Sequence, residues 1–407
     1  MATATDDAGR MPVTTDADRI ALGRHLRRRP KPLPMRVLIL HNRYRAEGGE
    51  ERAVADIAAL LVSRGHIVEV LERSSESLGR VPAARALVCG GVESQQVTDA
   101  VRRLRADVVH AHNLHPLFGW RALAAARAAG ARTVLHLHNF RLFCAVAIGY
   151  RDGAPCFRCQ GTDTRPGLRW RCRGSLSESA VYAAALSRQQ PRLLAHADRF
   201  LTVSDATARR LVQLGLPAGP TSSLPNFVSA AGFAAATQAD RGQYALVSGR
   251  LVPEKGVDTA IAAARSAGVP LVVAGDGPDA PRLRGLASGA DVRFTGRLEH
   301  RALADLRARA AVVLVPSRWE EPCPYAALDA FAAGVPVLAS DRGGLPELMD
   351  SEAVLAPDDA SAWSRALDQL WRSPETRRER GAGVLARARE QFSEDRYHEG
   401  LMKVYGA

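Results

Sequence analysis

From Met35 onward the chain keeps returning to one pattern, a short apolar run rich in valine and leucine, a loop, and then a longer amphipathic stretch. The runs Met35 to Leu40, Ile67 to Leu71, Asp107 to His110, Thr133 to Leu137, Arg199 to Val203, Tyr244 to Val247, Leu271 to Ala274 and Ala311 to Val315 are too short for helices. Apolar side chains on both faces of a strand predict a parallel sheet covered on both sides, and the intervening stretches supply the covering helices. Repeated alternation of this kind predicts a doubly wound α/β fold. A chain of 407 residues exceeds what one core supports, so two such domains are expected. We place them at 35–225 and 226–392, after a flexible basic tail over 1–34 and before a C-terminal helix over 393–407 that crosses back to the first domain.

In such sheets the side chains that meet ligands gather just past the carboxyl ends of strands. Gly48 and Gly49 follow the first run, His112 and His138 follow two later ones, and Gly249, Arg250 and Lys255 follow the first run of the second domain. Gly48-Gly49 reads either as an ordinary turn or as a place where backbone comes close to a ligand. A histidine or a surface cation taken singly is more often structural or merely solvated, and position at strand ends is what raises these. Past Val315 the loop carries Glu320 and Glu321, meets Pro322 and Pro324, and becomes a helix that Gly334 stops. The free amides near Tyr325 and Ala326 and the cations Arg250 and Lys255 suit a phosphate. Glu321 and Asp329 suit vicinal hydroxyls, as on a sugar or a ribose.

Glu321-Pro322 with Asp329 beyond it, then Ala333-Gly334-Val335-Pro336-Val337 and Gly343-Gly344-Leu345-Pro346-Glu347, resembles the donor-site signature of glycosyltransferase family 4. Asp329 stands where members usually carry Glu. The resemblance covers roughly residues 35 to 405, and it implies the GT-B architecture, two Rossmann-like doubly wound parallel-sheet domains facing a cleft. It also implies a retaining, metal-independent transfer of a sugar from a nucleotide diphosphate sugar to a hydroxyl acceptor on a glycan, a glycolipid or a natural product. By the same resemblance Arg250 and Lys255 meet the donor phosphates and Glu321 the sugar hydroxyls. Asp329 meets the ribose, and His138 the sugar near its acceptor. Gly48 and Gly49 face the reaction centre, Gly249, Tyr325, Ala326, Gly343 and Gly344 lie by the phosphates, and backbone at Arg297 lies by the base. No cofactor is required for catalysis. Two rivals stand beside this reading: another GT-B enzyme, such as a phosphorylase or a sugar-nucleotide epimerase, and a catalytically impaired nucleotide-sugar-binding protein.

Cys144, Cys156, Cys159 and Cys172 are separated by eleven, two and twelve residues in loop-like sequence. Four cysteines around a central Cys-x-x-Cys suit structural zinc, with free buried thiols or disulfides as the other readings. A subset of family 4 is similar here. The net charge of +12, from 55 basic against 43 acidic side chains, comes with only 5% aromatic residues and no basic stripe. That combination argues against nucleic acid and fits a diphosphate ligand or peripheral contact with an anionic membrane. With no spanning apolar run and no leader pattern, the expected location is cytoplasmic, with the inner face of the membrane as the other option.

Overall fold

The computed structural model describes residues 34–43, 48–74, 76 and 78–406, so the expected basic tail lies outside the described residues apart from Pro34. In chain order the strands are β1 (Arg36–Arg43), β2 (Ile67–Ser74), β3 (Val108–Ala111), β4 (Arg132–Leu137), β5 (Tyr150–Arg151), β6 (Ala154–Pro155), β7 (Arg199–Thr202), β8 (Thr221–Ser223), β9 (Ala245–Ser248), β10 (Leu271–Ala274), β11 (Val292–Gly296), β12 (Val312–Val315), β13 (Val337–Ser340) and β14 (Val354–Leu355). The first large sheet has the order β2-β1-β3-β4-β7-β8 and the second β11-β10-β9-β12-β13-β14, while β5 and β6 form a separate hairpin. Every pairing within the two large sheets is parallel.

Alternate side chains along each strand enter opposite cores, as the two-residue period of a strand requires. In the first sheet Leu38, Leu40, Val109 and Leu135 pack on one face and Val37, Ile39, Val108 and Val134 on the other. The second sheet repeats this with Leu246, Val272, Val313 and Val337 against Ala245, Val273, Val312 and Leu338. Two buried faces explain why the strands read as continuous apolar runs.

The sheet order reverses between β1 and β3 in the first sheet and between β9 and β12 in the second. At such a reversal the loops leaving adjacent strands part to opposite faces and open a crevice. Four of the loops that carry the candidate residues, those after β1, β3, β9 and β12, flank these reversals, while His138 follows β4, Arg297 follows β11, and Gly343 and Gly344 follow β13. β3 and its neighbour β4 align His110 with Val134 and Ala111 with Leu135.

The helix Glu394–Tyr405 closes the structure by returning to the first sheet, where Tyr397, Leu401, Met402, Val404 and Tyr405 join the core of Val37, Ile39 and Val134. The side chain of Arg132, at the start of β4, donates to the carbonyl of Tyr405 at 2.6 Å. Several elements go beyond the sequence reading, among them β5, β6, β8, β13, β14 and the helix Arg80–Cys89. β8 is only Thr-Ser-Ser, a polar edge strand with no apolar run to announce it, and it is placed by parallel pairing with β7. The helix Arg80–Cys89 buries only Ala86 and Leu87, so its periodicity is faint.

Leu401 is fully buried on the returning helix. Leu401→Ala is expected to cost about 2–5 kcal/mol of stability by the cavity it leaves, measured by denaturant unfolding. A cost within the range of a surface substitution contradicts the docking of this helix.

Candidate active site

The loop after β1 reaches Gly48, whose amide donates to the side chain of Glu51 at 2.8 Å and so starts the helix Gly49–Ser63. That helix points its first turn at the second sheet's loops. A Cβ on Gly49 would lie 3.4 Å from the ring of Tyr325, so the two halves meet here at a glycine. One turn on, Arg52 stacks its guanidinium 3.9 Å above the Tyr325 ring. It donates to both oxygens of Asp329, Nη1 to Oδ2 at 2.7 Å and Nη2 to Oδ1 at 2.8 Å.

Asp329 is 7% exposed, inside the helix Tyr325–Ala332. Arg307 lies 3.2 Å from its Oδ2 on the other side. Burial pulls the Arg307 guanidinium down and Arg52 adds repulsion, against the pull of Asp329. For Arg52 burial acts downward too, but hydrogen bonding and attraction from Asp329 outweigh it, and the net direction is up. Asp329 thus lies between two cations, one from each half of the molecule.

Glu321 is the second buried acid, 3% exposed in the loop after β12. Lys255 Nζ donates to its Oε1 at 2.5 Å and Ser317 Oγ donates to the same oxygen at 2.6 Å. Lys255 ends the short 3-10 turn Pro253–Lys255 after β9, and Gly256 follows with φ of +64°. A Cβ at Gly256 would fall 2.0 Å from the Pro316 carbonyl, so only glycine lets the β9 loop lie against the β12 loop. Next to Glu321, Glu320 accepts from Arg210 of the first half at 2.6 and 3.1 Å.

His138 is half-buried beyond β4, and its Nε2 lies 2.9 Å from Nδ1 of His112 beyond β3. Beneath them Nε2 of His110 lies 3.2 Å from Nδ1 of His136, and Nδ1 of His110 lies 2.8 Å from the Tyr405 hydroxyl. Burial pushes His138 down to about 3, helped by His110 and His41 and opposed by Glu51. Burial alone puts His110 at about 3. Burial and the neighbouring rings hold His112 and His136 well below the usual range. These rings are neutral at pH 7, and they offer hydrogen bonds rather than charge. His110, His112 and His136 bring one ring nitrogen each within 4.8 Å of one another. Both nitrogens of His110 have partners, whereas Nε2 of His112 and Nε2 of His136 are buried without one.

The structure thus brings Gly49 together with Tyr325, and Lys255 together with Glu321. Arg250 is not drawn into that pair: it lies 3.9 Å from Glu254 with its side chain 62% exposed. Gly249, with φ of +148° and nothing within 4 Å of a would-be Cβ, presents bare backbone beside it. Arg297 is exposed after the edge strand β11. Gly343 and Gly344 pack on the backbone of Glu320, Glu321 and Pro322, and Gly344 also meets Ser204 of the first half. Arg52, Arg307, Arg210 and Ser317 escaped the sequence reading. Arg52 and Asp329 are 277 residues apart, and nothing local marks them as partners.

Two Rossmann-like sheets whose switch-point loops meet across one cleft define the GT-B class. The glycosyltransferase family 4 model matches residues 47–231 and the glycosyl transferases group 1 model matches residues 233–383. The chain belongs to the family 4 glycosyltransferases. It is similar to a glycogen synthase of Mycobacterium tuberculosis, 30% identical over 246 residues, which are 56% of this chain and 59% of that one. It is also similar to a GDP-mannose-dependent alpha-(1-6)-phosphatidylinositol dimannoside mannosyltransferase of the same species, 35% identical over 166 residues, 39% of this chain and 42% of that one. The chain thus spans less than two thirds of the length of either relative. The solved structure of Anabaena Alr3699/HepE in complex with UDP superposes with a TM-score of 0.63 at 17% identity, covering 91% of this chain and 100% of that one, a likeness of fold.

Acid should weaken this protein through its histidines. His110, His115 and His138 bind protons near pH 3 when folded and near the ordinary value of 6.5 when unfolded. Their contribution is fully present above pH 6.5 and is lost as pH falls from there toward 3, because the unfolded chain binds more protons. Urea midpoints are expected to drop through that window, and His110→Asn should flatten the drop. A midpoint independent of pH across the window contradicts the buried neutral network.

Proposed function

We propose that this chain transfers a sugar from a nucleoside diphosphate sugar to a hydroxyl acceptor, with retention of anomeric configuration. The observation that carries the reading is the Lys255–Glu321–Ser317 cluster at the second sheet's switch point, next to the open first turn of the Tyr325 helix. A cation and helix amides together suit a diphosphate, and a buried carboxylate beside them suits sugar hydroxyls. The two matched families and relatives named as a glycogen synthase and a GDP-mannose-dependent mannosyltransferase support it. So does a fold neighbour crystallised with UDP-glucose.

In this reading Lys255 and Arg250 stabilise the charge that develops on the departing diphosphate. Glu321 holds the sugar hydroxyls, and neutral His138, oriented by His112, hydrogen-bonds the sugar near the acceptor. The bond between the anomeric carbon and the phosphate oxygen breaks as the acceptor oxygen bonds to the same face of that carbon. The acceptor's proton passes to the leaving phosphate. Bare backbone at Gly48, Gly49 and Gly249 allows close approach of the donor, with Tyr325, Ala326, Gly343 and Gly344 around the phosphates and Arg297 by the base. Asp329 reaches the ribose once Arg52 releases it, since Arg52 occupies both of its oxygens in this structure. Closure of the two halves excludes water, which otherwise competes as acceptor.

The transfer itself takes no metal in this reading, and zinc, where bound, is structural and belongs to the four-cysteine loop. In this reading the acceptor belongs to a domain over 35–225 and the donor to a domain over 226–392, and the two six-stranded sheets support the division. The acceptor class is a glycan, glycolipid or natural-product hydroxyl. The proposed place of action is the cytoplasm, with peripheral contact at the inner face of the membrane. No helix among the described residues is long and apolar enough to cross a membrane.

Glu321→Gln keeps the side chain's shape but removes its charge. It is expected to lower kcat by at least about a hundredfold, with the circular dichroism spectrum and melting temperature kept. The assay is release of nucleoside diphosphate in the presence of acceptor. Full activity in a folded variant removes Glu321 from the reaction.

A further inference from the structure

Between β4 and the helix Leu176–His196 the chain makes a loop that lies outside both large sheets. Its small hairpin, β5 and β6, turns through Asp152 and Gly153, both at positive φ, as a tight two-residue turn demands. Cys144, Cys156, Cys159 and Cys172 come from four separate points on this loop, and all four border one cavity of about 30 Å³ walled by Phe143, Phe157 and Trp170. All four are half-buried and none is in a disulfide.

Burial raises the Cys144 thiol and pushes Cys159 up to about 11, against the opposing pull of the backbone amides of Gly149, Val146 and Ala147 near Cys144 and of Gly167 near Cys159. Ala147 adopts a left-handed φ of +70° and Gly149 one of +56°, a conformation that alanine seldom takes. A buried sulfur of this kind gives up its proton when a metal takes its place, and nearby amides then orient the thiolate. Cations stand round the loop as well. Arg151 Nη1 is 3.7 Å from Cys172 Sγ, Arg158 lies over Trp170 and Arg210 over Phe157.

We infer that Cys144, Cys156, Cys159 and Cys172 form a tetrathiolate zinc site that seats Phe157 beneath Arg210 and so holds the loop of Glu320 and Glu321 in place. Zinc binding displaces the four thiol protons to solvent and puts four sulfur bonds on the ion. Among the described residues no three of these sulfurs lie within 4.8 Å of one another, so binding draws the loop inward about the cavity. The link to the cleft is short. Phe157 lies within the Cys-x-x-Cys, 4.4 Å from the Arg210 guanidinium, and Arg210 donates twice to Glu320. Gly161, two residues past Cys159, donates to the carbonyl of Leu214 at 2.7 Å and fixes the loop to the end of the helix that carries Arg210. This inference does not depend on the proposed reaction, since zinc content and loop exchange are measured without substrate.

The test is the zinc content of the whole chain purified under reducing conditions, followed by chelation and reconstitution with cobalt. Expected are about one zinc per chain and, with cobalt, the intense absorption of a tetrahedral thiolate complex. Chelated protein should show faster amide hydrogen exchange over residues 316–324, with β10 unchanged. Cys156→Ser combined with Cys159→Ser should lose the zinc, and Phe157→Leu should keep zinc yet show the faster exchange at 316–324. Absence of zinc above background together with no cobalt–thiolate absorption overturns the site, as does a disulfide among the four. Zinc that is present but whose removal leaves exchange at 316–324 unaltered overturns its coupling to the cleft.

Discussion

An acidic side chain in the middle of a helix and almost out of solvent needs partners for its oxygens, and cations are the strongest. Asp329 has two, and they come from different halves of the molecule. Arg52 belongs to the helix that leaves β1 and Arg307 to the helix before β12, so one charge ties the first sheet's glycine loop to the second sheet's ligand-facing helix. The stacking of Arg52 on Tyr325 and the bare Cα of Gly49 against the same ring are consequences of that tie. Removing one member leaves the others buried and unmatched, which is why the spacing between the halves at this point is closely set.

The two walls of the cleft differ in electrostatic character for reasons that lie in burial. Burial keeps the histidines of β3 and β4 and of the loops beyond them neutral; His112 and His138, past the strands, hydrogen-bond to each other, and His110, within β3, bonds to His136 and to Tyr405 of the returning helix. Cations past β9 stay accessible, Arg250 more than Lys255. A ligand with an anionic end and a hydroxyl-rich end matches this division, the anion toward the second sheet and the hydroxyls between Glu321 and the histidines. Family 4 membership and the proposed sugar transfer are both consistent with it.

The fold was readable because each central strand is buried on both faces, which turns its sequence into an uninterrupted apolar run. Lys255, Glu321, His138 and the Gly48-Gly49 pair were visible as candidates since they sit directly past such runs. What escaped lies in pairings that sequence distance conceals. Glu50-Glu51-Arg52 reads as a solvated helix start, yet Arg52 closes on an acid from the other end of the chain. Arg210 looks like one more arginine on an exposed helix, although Glu320, 110 residues on, takes both of its donated bonds. His112 turns out to be the direct partner of His138, a relation set by neighbouring strands and not by spacing. Asp329 was read as a hydroxyl contact because its motif suggests one, but the structure gives its oxygens first to arginine.

The most direct test of the account is calorimetric titration of the wild-type protein and of Lys255→Ala with nucleoside diphosphates and nucleotide sugars. The account predicts that at least one nucleoside diphosphate binds and that Lys255→Ala weakens it about tenfold or more, in keeping with loss of a charge-assisted contact. If no nucleotide binds the wild type, or if the variant binds as well as the wild type, the second sheet's switch point is not a diphosphate site and the proposed transfer fails with it.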